Sequence, residues 1–448
     1  SILFDNTART VFDMGKTDPD VYSFGAMNPM PGGELCYYFI SDRNVEKSLS
    51  VKTILTSLTD LIGKSFFAPY WALGNFQCHY GYWEGDVRRV AKEYQNRGIP
   101  LDGIMVDLEY YQNQCSPSTV NTTRYPDFKG MNEELERKNL KFGVINDPNI
   151  SNQTTNPPDY AEGSTNGYFI RGENGKTQDV LWNWGSANGN MAPGMSGVLD
   201  FFNPAAAKWW QGLNQNILNA GVDWFWLDMN EPARYRPDWL FYNEDGKGYG
   251  DLAEMHNAYS IVHNKTMYEM MTAGGKRSVH LTRSGFTGTQ RYGSIWTGDI
   301  ADTWQSMVEQ IRCGTGFSLA GQFFWGFDIG GFSALTVNPQ DFSEQYQRWI
   351  QLATFTPMHR FHYCGSNAKE PWAIPGGEET AKKYIGLRYQ LSPYFYSYMA
   401  DSILGTGMEG DAGRGTGLPL FRPMLMEYPD DPNTYSLDRQ FMNGQYFL

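Results

Sequence analysis

The pattern of apolar and polar positions divides the chain into three stretches. Residues 1–62 are turn-rich. Within them Glu34–Ile40 is an apolar, aromatic run that predicts a β-strand. Ser48–Gly63 places Leu49, Val51, Ile54, Leu55, Leu58 and Leu61-Ile62 at helical spacing. This first stretch reads as the tail of a β-domain followed by a connector. From Ala68 onward, apolar runs of strand length alternate with amphipathic helical segments. Strands are predicted at Tyr70–Gly74, Leu101–Asp107, Lys141–Asp147, Val222–Asp228, Ser278–Arg283, Gly293–Thr297, Gly321–Gly326 and Leu352–Pro357. Helices are predicted at Glu84–Arg97, Asn132–Asn139 and Asn203–Ala220, with a final one from Ser392 to about Leu404. An Asn/Gly/Pro-rich stretch at about 148–199 is too long for an ordinary βα loop and reads as a functional insertion. The Gly-rich stretch Gly405–Gly417 ends the alternation, and Leu418–Pro423 begins a small further β-domain, 405–448.

Eight strands alternating with helices over residues 63–404 predict an α/β fold, a (β/α)8 TIM barrel. A doubly wound open sheet is the alternative. It usually carries a Gly-rich phosphate turn after its first strand, and this chain has none there.

The bulk properties narrow the function. A net charge of −13 argues against nucleic acid or an anionic membrane surface as a partner. No segment reaches the roughly 18 unbroken apolar residues of a membrane span. Five Cys, at positions 36, 78, 115, 313 and 364, have no paired spacing and fit neither a disulfide framework nor a zinc site. No cofactor and no metal are expected. The 15% aromatic content suits the packing of sugar C–H faces, although most aromatics in a chain this size fill the core. Asn121, Asn149, Asn152 and Asn264 sit in N-x-S/T triplets, which arise too often by chance to fix a compartment. An extracellular location is favoured over a cytoplasmic one, and the oligomeric state is left open. Ser1-Ile2-Leu3-Phe4 lacks an initiator Met and Gln440–Leu448 stops inside an apolar run, so a chain excised from a longer one is expected.

The chemistry lies at the strand ends. The predicted strands run out at Asp107, Asp147, Asp228 and Arg283. The next three are followed by Trp296-Thr297-Gly298-Asp299, Trp325-Gly326-Phe327-Asp328 and His359-Arg360-Phe361-His362. A lone Asp at a strand end is as often a helix cap as a catalyst. A ring of carboxylates on the rim where barrels keep their sites, beside Trp and His, suits glycosyl transfer. That reaction needs one carboxylate as nucleophile and one carboxylic acid as proton donor.

These residues also carry a resemblance. Trp226-Leu227-Asp228-Met229-Asn230-Glu231-Pro232 resembles the nucleophile signature of glycoside hydrolase family 31, the α-glucosidase family. Arg283-Ser284-Gly285-Phe286 with Trp296-Thr297-Gly298-Asp299 resembles its acid/base signature. Tyr37–Ile40, Pro69–Gly74, His256-Asn257, Asp328–Phe332 and the segments around Gly417–Pro423 and Gln440–Met442 are similar to further parts of the family pattern, so most of the chain is covered. The resemblance implies the end of an N-terminal β-sandwich at 1–62, the barrel, and the start of a C-terminal β-domain. It implies Asp228 as nucleophile and Asp299 as acid/base. Asp107, Asp328 and His362 would bind sugar hydroxyls, and Arg283 would hold carboxylates ionised. Trp226 and Trp296 would wall the pocket and Phe332 would close it, with Asp147, Glu231 and Arg360 in support. Asp302 is a competing loop carboxylate for the Asp299 role, and Trp304 and Trp325 read as core.

Two departures bear on specificity. Met191-Ala192-Pro193-Gly194 stands where relatives often have Trp-Pro-Gly, which removes one pocket wall. The 107–111 element reads Asp-Leu-Glu-Tyr-Tyr where Asp-Ile-Asp-Tyr-Met is commoner. Trp182 and Trp184 in the insertion suit acceptor subsites, where stacking would favour a sugar over water and make the enzyme a transglycosylase. The expected partner is an α-linked oligosaccharide or glucan. The leading expectation is a retaining α-glycosidase or α-glucosyltransferase. An α-glucan lyase using the same covalent intermediate, and a non-catalytic sugar-binding homologue, are the alternatives.

Overall fold

The computed structural model describes residues 1–26, 36–42, 47–112, 116–153, 158–182, 194–236, 238–242, 249–333 and 339–447. Glu34, Leu35, Cys115, Trp184 and Met191–Pro193 lie outside the described residues, as does the side chain of Trp182. The central sheet is a closed parallel ring. Its strands are β1 (Asn75–His79), β2 (Gly103–Val106), β3 (Lys141–Asn146), β4 (Trp224–Leu227), β5 (His280–Thr282), β6 (Ser294–Trp296), β7 in two pieces (Trp325–Gly326 and Asp328–Ile329) and β8 (His359–Phe361). Each pairs with its neighbours in chain order, and β8 returns to β1. The first piece of β7 bonds to β6 and the second to β8, so the ring is completed by the chain running through Phe327.

Most connections are helical, as expected for parallel neighbours. Glu84–Arg97 forms as predicted and ends on Gly98, which takes the left-handed conformation at φ 67° that favours glycine at this position. Phe128–Arg137 begins one turn before the predicted Asn132, because Asp127 caps it by accepting from the Gly130 N–H. Pro204–Asn219 starts on an Asn203 cap with Pro at its first position. The last barrel helix spans Gly377–Leu404 and runs through Pro393, far longer than the predicted Ser392–Leu404 segment.

Two strands differ from expectation. Tyr70–Leu73 is a 3-10 turn, and β1 begins only at Asn75. Gly74 is pressed against Asp102, whose carboxylate occupies the space a side chain would need. The strand itself, Asn-Phe-Gln-Cys-His, buries two amides that hide it from a hydropathy pattern. Leu352-Ala353 ends the helix Pro339–Ala353, and β8 is the polar run His359-Arg360-Phe361, not Leu352–Pro357. Several of their buried polar side chains pair internally. His359 Nδ1 meets Asn75 Oδ1 at 2.9 Å, and the Tyr94 hydroxyl donates to Gln77 Oε1 at 2.7 Å.

The strand period of two decides what points inward. Trp224 packs on Phe76 at 4.9 Å between ring centroids and fills the space above Gly143. Two residues on, Trp226 meets Trp296 edge-on at 5.5 Å. Following the same parity past the ends of β2, β3, β4, β5 and β8 reaches Asp107, Asp147, Asp228, Arg283 and His362, and in the second piece of β7 it reaches Asp328. The candidate site is therefore the top layer of the barrel interior.

Outside the ring, the helix Lys47–Ile62 sets Leu55 and Leu58 against Leu418 and Met426 in a second small core. The insertion holds a three-stranded antiparallel sheet of Asn149–Ser151, Val180–Trp182 and Gly194–Val198, with the helix Asp159–Asn166. No described helix is long and apolar enough to cross a membrane.

Candidate active site

A cavity of about 170 Å³ opens at the C-terminal end of the barrel. Asp107, Asp147, Trp226, Asp228, Arg283, Asp299 and Phe332 line it, together with Tyr80, Leu108 and Met229. A larger groove of about 590 Å³ lies between the helices Pro204–Asn219 and Tyr259–Thr272, away from the carboxylate ring. Among the described residues no cluster of His, Cys, Asp and Glu has a geometry that could hold a metal ion.

Asp228 follows β4 directly. The next residue, Met229, is held at φ 55°, a conformation uncommon for a non-glycine residue. The turn is braced by Asn230, which donates to Thr282 Oγ1 at 2.9 Å and accepts from the Ser284 N–H at 3.0 Å. Arg283, one residue past β5, then reaches both carboxylates of the motif. Its Nη1 lies 3.2 Å from Asp228 Oδ1, while Nε and Nη2 donate to the two oxygens of Glu231 at 2.7 and 2.8 Å. The fork-on-carboxylate geometry fixes the guanidinium plane. Glu231 is thus occupied in orienting Arg283.

Burial pushes the Asp228 carboxyl up to about 6; the Arg283 charge opposes this, and the nearby negative Asp299 adds to it. Burial works against the Arg283 charge as well, yet its bonds to Glu231 and the charge of Asp228 hold its pKa above the ordinary value. Asp299 keeps one face to solvent at the cavity mouth. The walls around it still raise its pKa, with Arg283 and Arg360 pulling the other way. Asp228 and Asp299 therefore differ in environment, the condition for giving two carboxyls two roles.

The floor is a second charged layer. Arg360 and Asp328 form an ion pair that is almost wholly buried. The guanidinium lies 4.9 Å from the Trp226 ring centroid and 5.5 Å from that of Trp296. Burial pushes Asp328 up to about 7, against the pull of Arg360. Asp107 is raised well above the carboxylate range by burial, with Glu109 and Asp228 adding to it. His362 is fully buried and held neutral by burial and by the Arg360 charge. Its Nε2 lies 3.7 Å from Asp107 Oδ2, and its ring packs on Trp226 and Phe332, each at 4.9 Å. Asp147 is buried, and its N–H donates to the Tyr111 hydroxyl at 3.1 Å.

The structure thus gathers all the predicted site residues at one end of the barrel. Arg360 belongs to β8 and His362 follows it directly, where the sequence had placed both in a loop after the strand. Asp302 is ruled out as a rival to Asp299, since it is buried against Lys369. Trp325 is core as expected, whereas Trp304 is an exposed residue opening the helix Trp304–Leu319. Tyr80, Leu108 and Met229 were not foreseen. Tyr80 is signalled by parity, as the inward continuation of Phe76 and Cys78 once β1 is correctly placed.

Residues 65–398 match the sequence profile of the glycosyl hydrolases family 31 TIM-barrel domain, and residues 417–448 match that of the family 31 C-terminal domain. The chain belongs to glycoside hydrolase family 31. It is 34% identical to alpha-glucosidase 2 of Bacillus thermoamyloliquefaciens over 460 residues, covering 100% of this chain and 53% of that protein. It is 32% identical to an alpha-xylosidase of Emericella nidulans over 428 residues, covering 93% and 49%. A family 31 dextranase of Flavobacterium johnsoniae, solved with isomaltotriose, superposes with a TM-score of 0.87 at 33% identity, covering 99% of this chain and 52% of that one. The chain spans about half the length of the relatives it matches.

Proposed function

We propose that this family 31 chain carries the catalytic barrel of a retaining α-glycosidase that removes single terminal residues from α-linked gluco-oligosaccharides. The Asp228 carboxylate attacks the anomeric carbon as the bond to the leaving oxygen breaks, and the Asp299 carboxyl supplies the proton to that oxygen. The resulting glycosyl-aspartate is then attacked by water. Asp299, now a carboxylate, takes the proton, and the configuration is retained. Asp107, Asp328 and His362 accept from and donate to ring hydroxyls. Trp226 and Phe332 pack on the ring faces.

The observation that carries this reading is the Arg283 fork. It is anchored on Glu231 and leaves one nitrogen for Asp228, so a half-buried carboxylate is drawn toward its ionised form at the cavity wall. Cavity size supports cleavage at a chain end, because about 170 Å³ is well below the roughly 300–1,000 Å³ of pockets for larger ligands. An α-xylosidase among the relatives makes xylose the competing sugar, and the dextranase points to α-1,6 linkages as one candidate.

Product analysis on maltose, isomaltose, a starch-like glucan and an aryl α-xyloside tests the reading. Free glucose released first as the α-anomer is expected. Longer oligosaccharides would signal transfer, and an unsaturated or keto sugar would signal elimination. An Asp228→Ala variant with full turnover would overturn the mechanism.

A further inference from the structure

The Asp299 carboxylate has no hydrogen bond fixing it among the described residues, so its position is set by the backbone that carries it. That backbone is locked to two other rim loops. The Ile300 carbonyl accepts from the N–H groups of both Phe332 and Ser333, at 2.8 and 3.2 Å. Gly331, at φ 76°, lies so close to the Asp302 backbone that a Cβ there would sit 2.6 Å from it. The Phe332 carbonyl in turn accepts from the Cys364 N–H at 3.0 Å. The loops after β6, β7 and β8 thus meet at one point.

A buried cation bridges these loops. Lys369 Nζ lies 3.2 Å from Asp302 Oδ2 and donates to the carbonyls of Gly330 at 3.2 Å and Gly331 at 3.0 Å. Three acceptors match the three protons of an ammonium. The Tyr346 hydroxyl holds the Lys369 carbonyl, and the Phe342 ring lies 5.2 Å from Nζ. Asp302 is three residues from Asp299, and Gly331 precedes Phe332.

We propose that Lys369 is a positioning residue for the proposed acid/base: by binding Asp302 and the Gly330-Gly331 carbonyls it fixes the Asp299 loop at the height where Asp299 reaches the leaving oxygen, and seats Phe332 in the same act. The inference rests on the reading of Asp299 as the proton donor. A buried lysine that only stabilised the fold would affect all substrates alike. One that sets the proton donor affects those that need a proton.

The test compares two glycosides of the sugar turned over in the product analysis: the glycosyl fluoride, which leaves with little protonation, and the phenyl glycoside, which needs it. The readout is kcat/KM, which reports the step that breaks the glycosidic bond. Lys369→Met is expected to lower the phenyl value at least about ten-fold more than the fluoride value, a part of the roughly 10²–10⁴-fold contribution of a general acid. Lys369→Arg is expected to recover part of the loss. Equal losses on the two substrates, or none, overturn the proposal. If Lys369→Met does not fold, Asp302→Asn removes the same ion pair with little change of shape, and an unchanged ratio in that variant overturns it equally. Asp299→Ala separates the two levels. If Asp299→Ala leaves the ratio unmoved, the reading of Asp299 has failed. If Asp299→Ala moves it and the Lys369 and Asp302 variants do not, only the positioning role has failed.

Discussion

Arg283 stands 3.2 Å from Asp228 because Glu231, not Asp228, takes the stronger hold on the guanidinium. The two carboxylates stand three positions apart in the chain, with two residues between them, and the Met229 turn lets both face one cation. Glu231→Gln keeps the side chain's shape but removes the charge and one of the two acceptors. Arg283 then loses its anchor, and kcat is expected to fall by about ten- to a hundred-fold, the usual cost of a displacement near 1 Å. Steady-state kinetics check this: a kcat within two-fold of the parent, taking two-fold as roughly the noise of such assays, would show that the anchor is dispensable.

The same cation sets the acid limit of activity. Asp228 is a nucleophile only as a carboxylate, and burial pushes it up to about 6. The value of kcat/KM is therefore expected to decline as pH falls through about 6, with an apparent value that belongs jointly to Asp228 and Asp299. Arg283→Gln removes the charge that holds Asp228 down, so the acid limb moves to higher pH. A pH profile of kcat/KM for parent and variant decides it, and an unmoved limb removes Asp228 as the controlling ionisation.

Two histidines outside the cavity lining take stability from the fold in acid. His263 and His280 are fully buried, and burial pushes each down to about 3 from an ordinary 6.5. The His263 ring stacks on Phe201 at 4.2 Å, and neither of its nitrogens has a hydrogen-bond partner among the described residues. Above pH 6.5 neither the folded nor the unfolded chain protonates them, and their contribution is complete. As pH falls from 6.5 toward 3, the unfolded chain binds protons that the folded one refuses, and stability is lost. Tm is expected to drop over this window. His263→Phe keeps the stacked ring without the titration and is expected to flatten the drop, which thermal melts across the window will measure.

How much of this was legible follows from where polarity sits. The apolar strands β2 to β6 were readable because their inward and outward faces are both buried, and the rim carboxylates stood out where the apolar runs stopped. β1 and β8 were misplaced for the opposite reason. Asn75, Gln77 and His359 alternate with the inward-facing residues and Arg360 faces the interior, all four paired with residues outside their own strands, and no local pattern announces a partner 284 residues away. Tyr80 was missed with β1, since its parity depends on where that strand begins. Glu231 and Arg360 were read as supports from the resemblance, and their particular partners, Arg283 and Asp328, are facts of the fold. Lys369 carried no signal at all, because its acceptors are mostly backbone carbonyls of another loop.

The misplaced strands share one clamp, and it offers a stability test. Arg388, buried in the helix Gly377–Leu404, donates to the carbonyls of Leu73, Thr354, Thr356 and Pro357 at 2.7, 3.1, 2.6 and 2.7 Å. These carbonyls belong to the segments leading into β1 and β8 at the base of the barrel, opposite the cavity. One planar fork satisfies four acceptors that would otherwise be buried without donors. Arg388→Met removes every donor at once and is expected to cost roughly 3 kcal/mol or more, since each orphaned buried group costs about 1–3 kcal/mol and water can recover only part. Arg388→Lys leaves one compact ammonium with fewer donors and a different geometry, and its loss should fall between the two. Denaturant unfolding orders the three proteins. Because the clamp lies at the far end from Asp228, kcat per folded molecule is expected to stay near the parent value. A variant that lost kcat without losing stability would place Arg388 in the working of the site instead of beneath it.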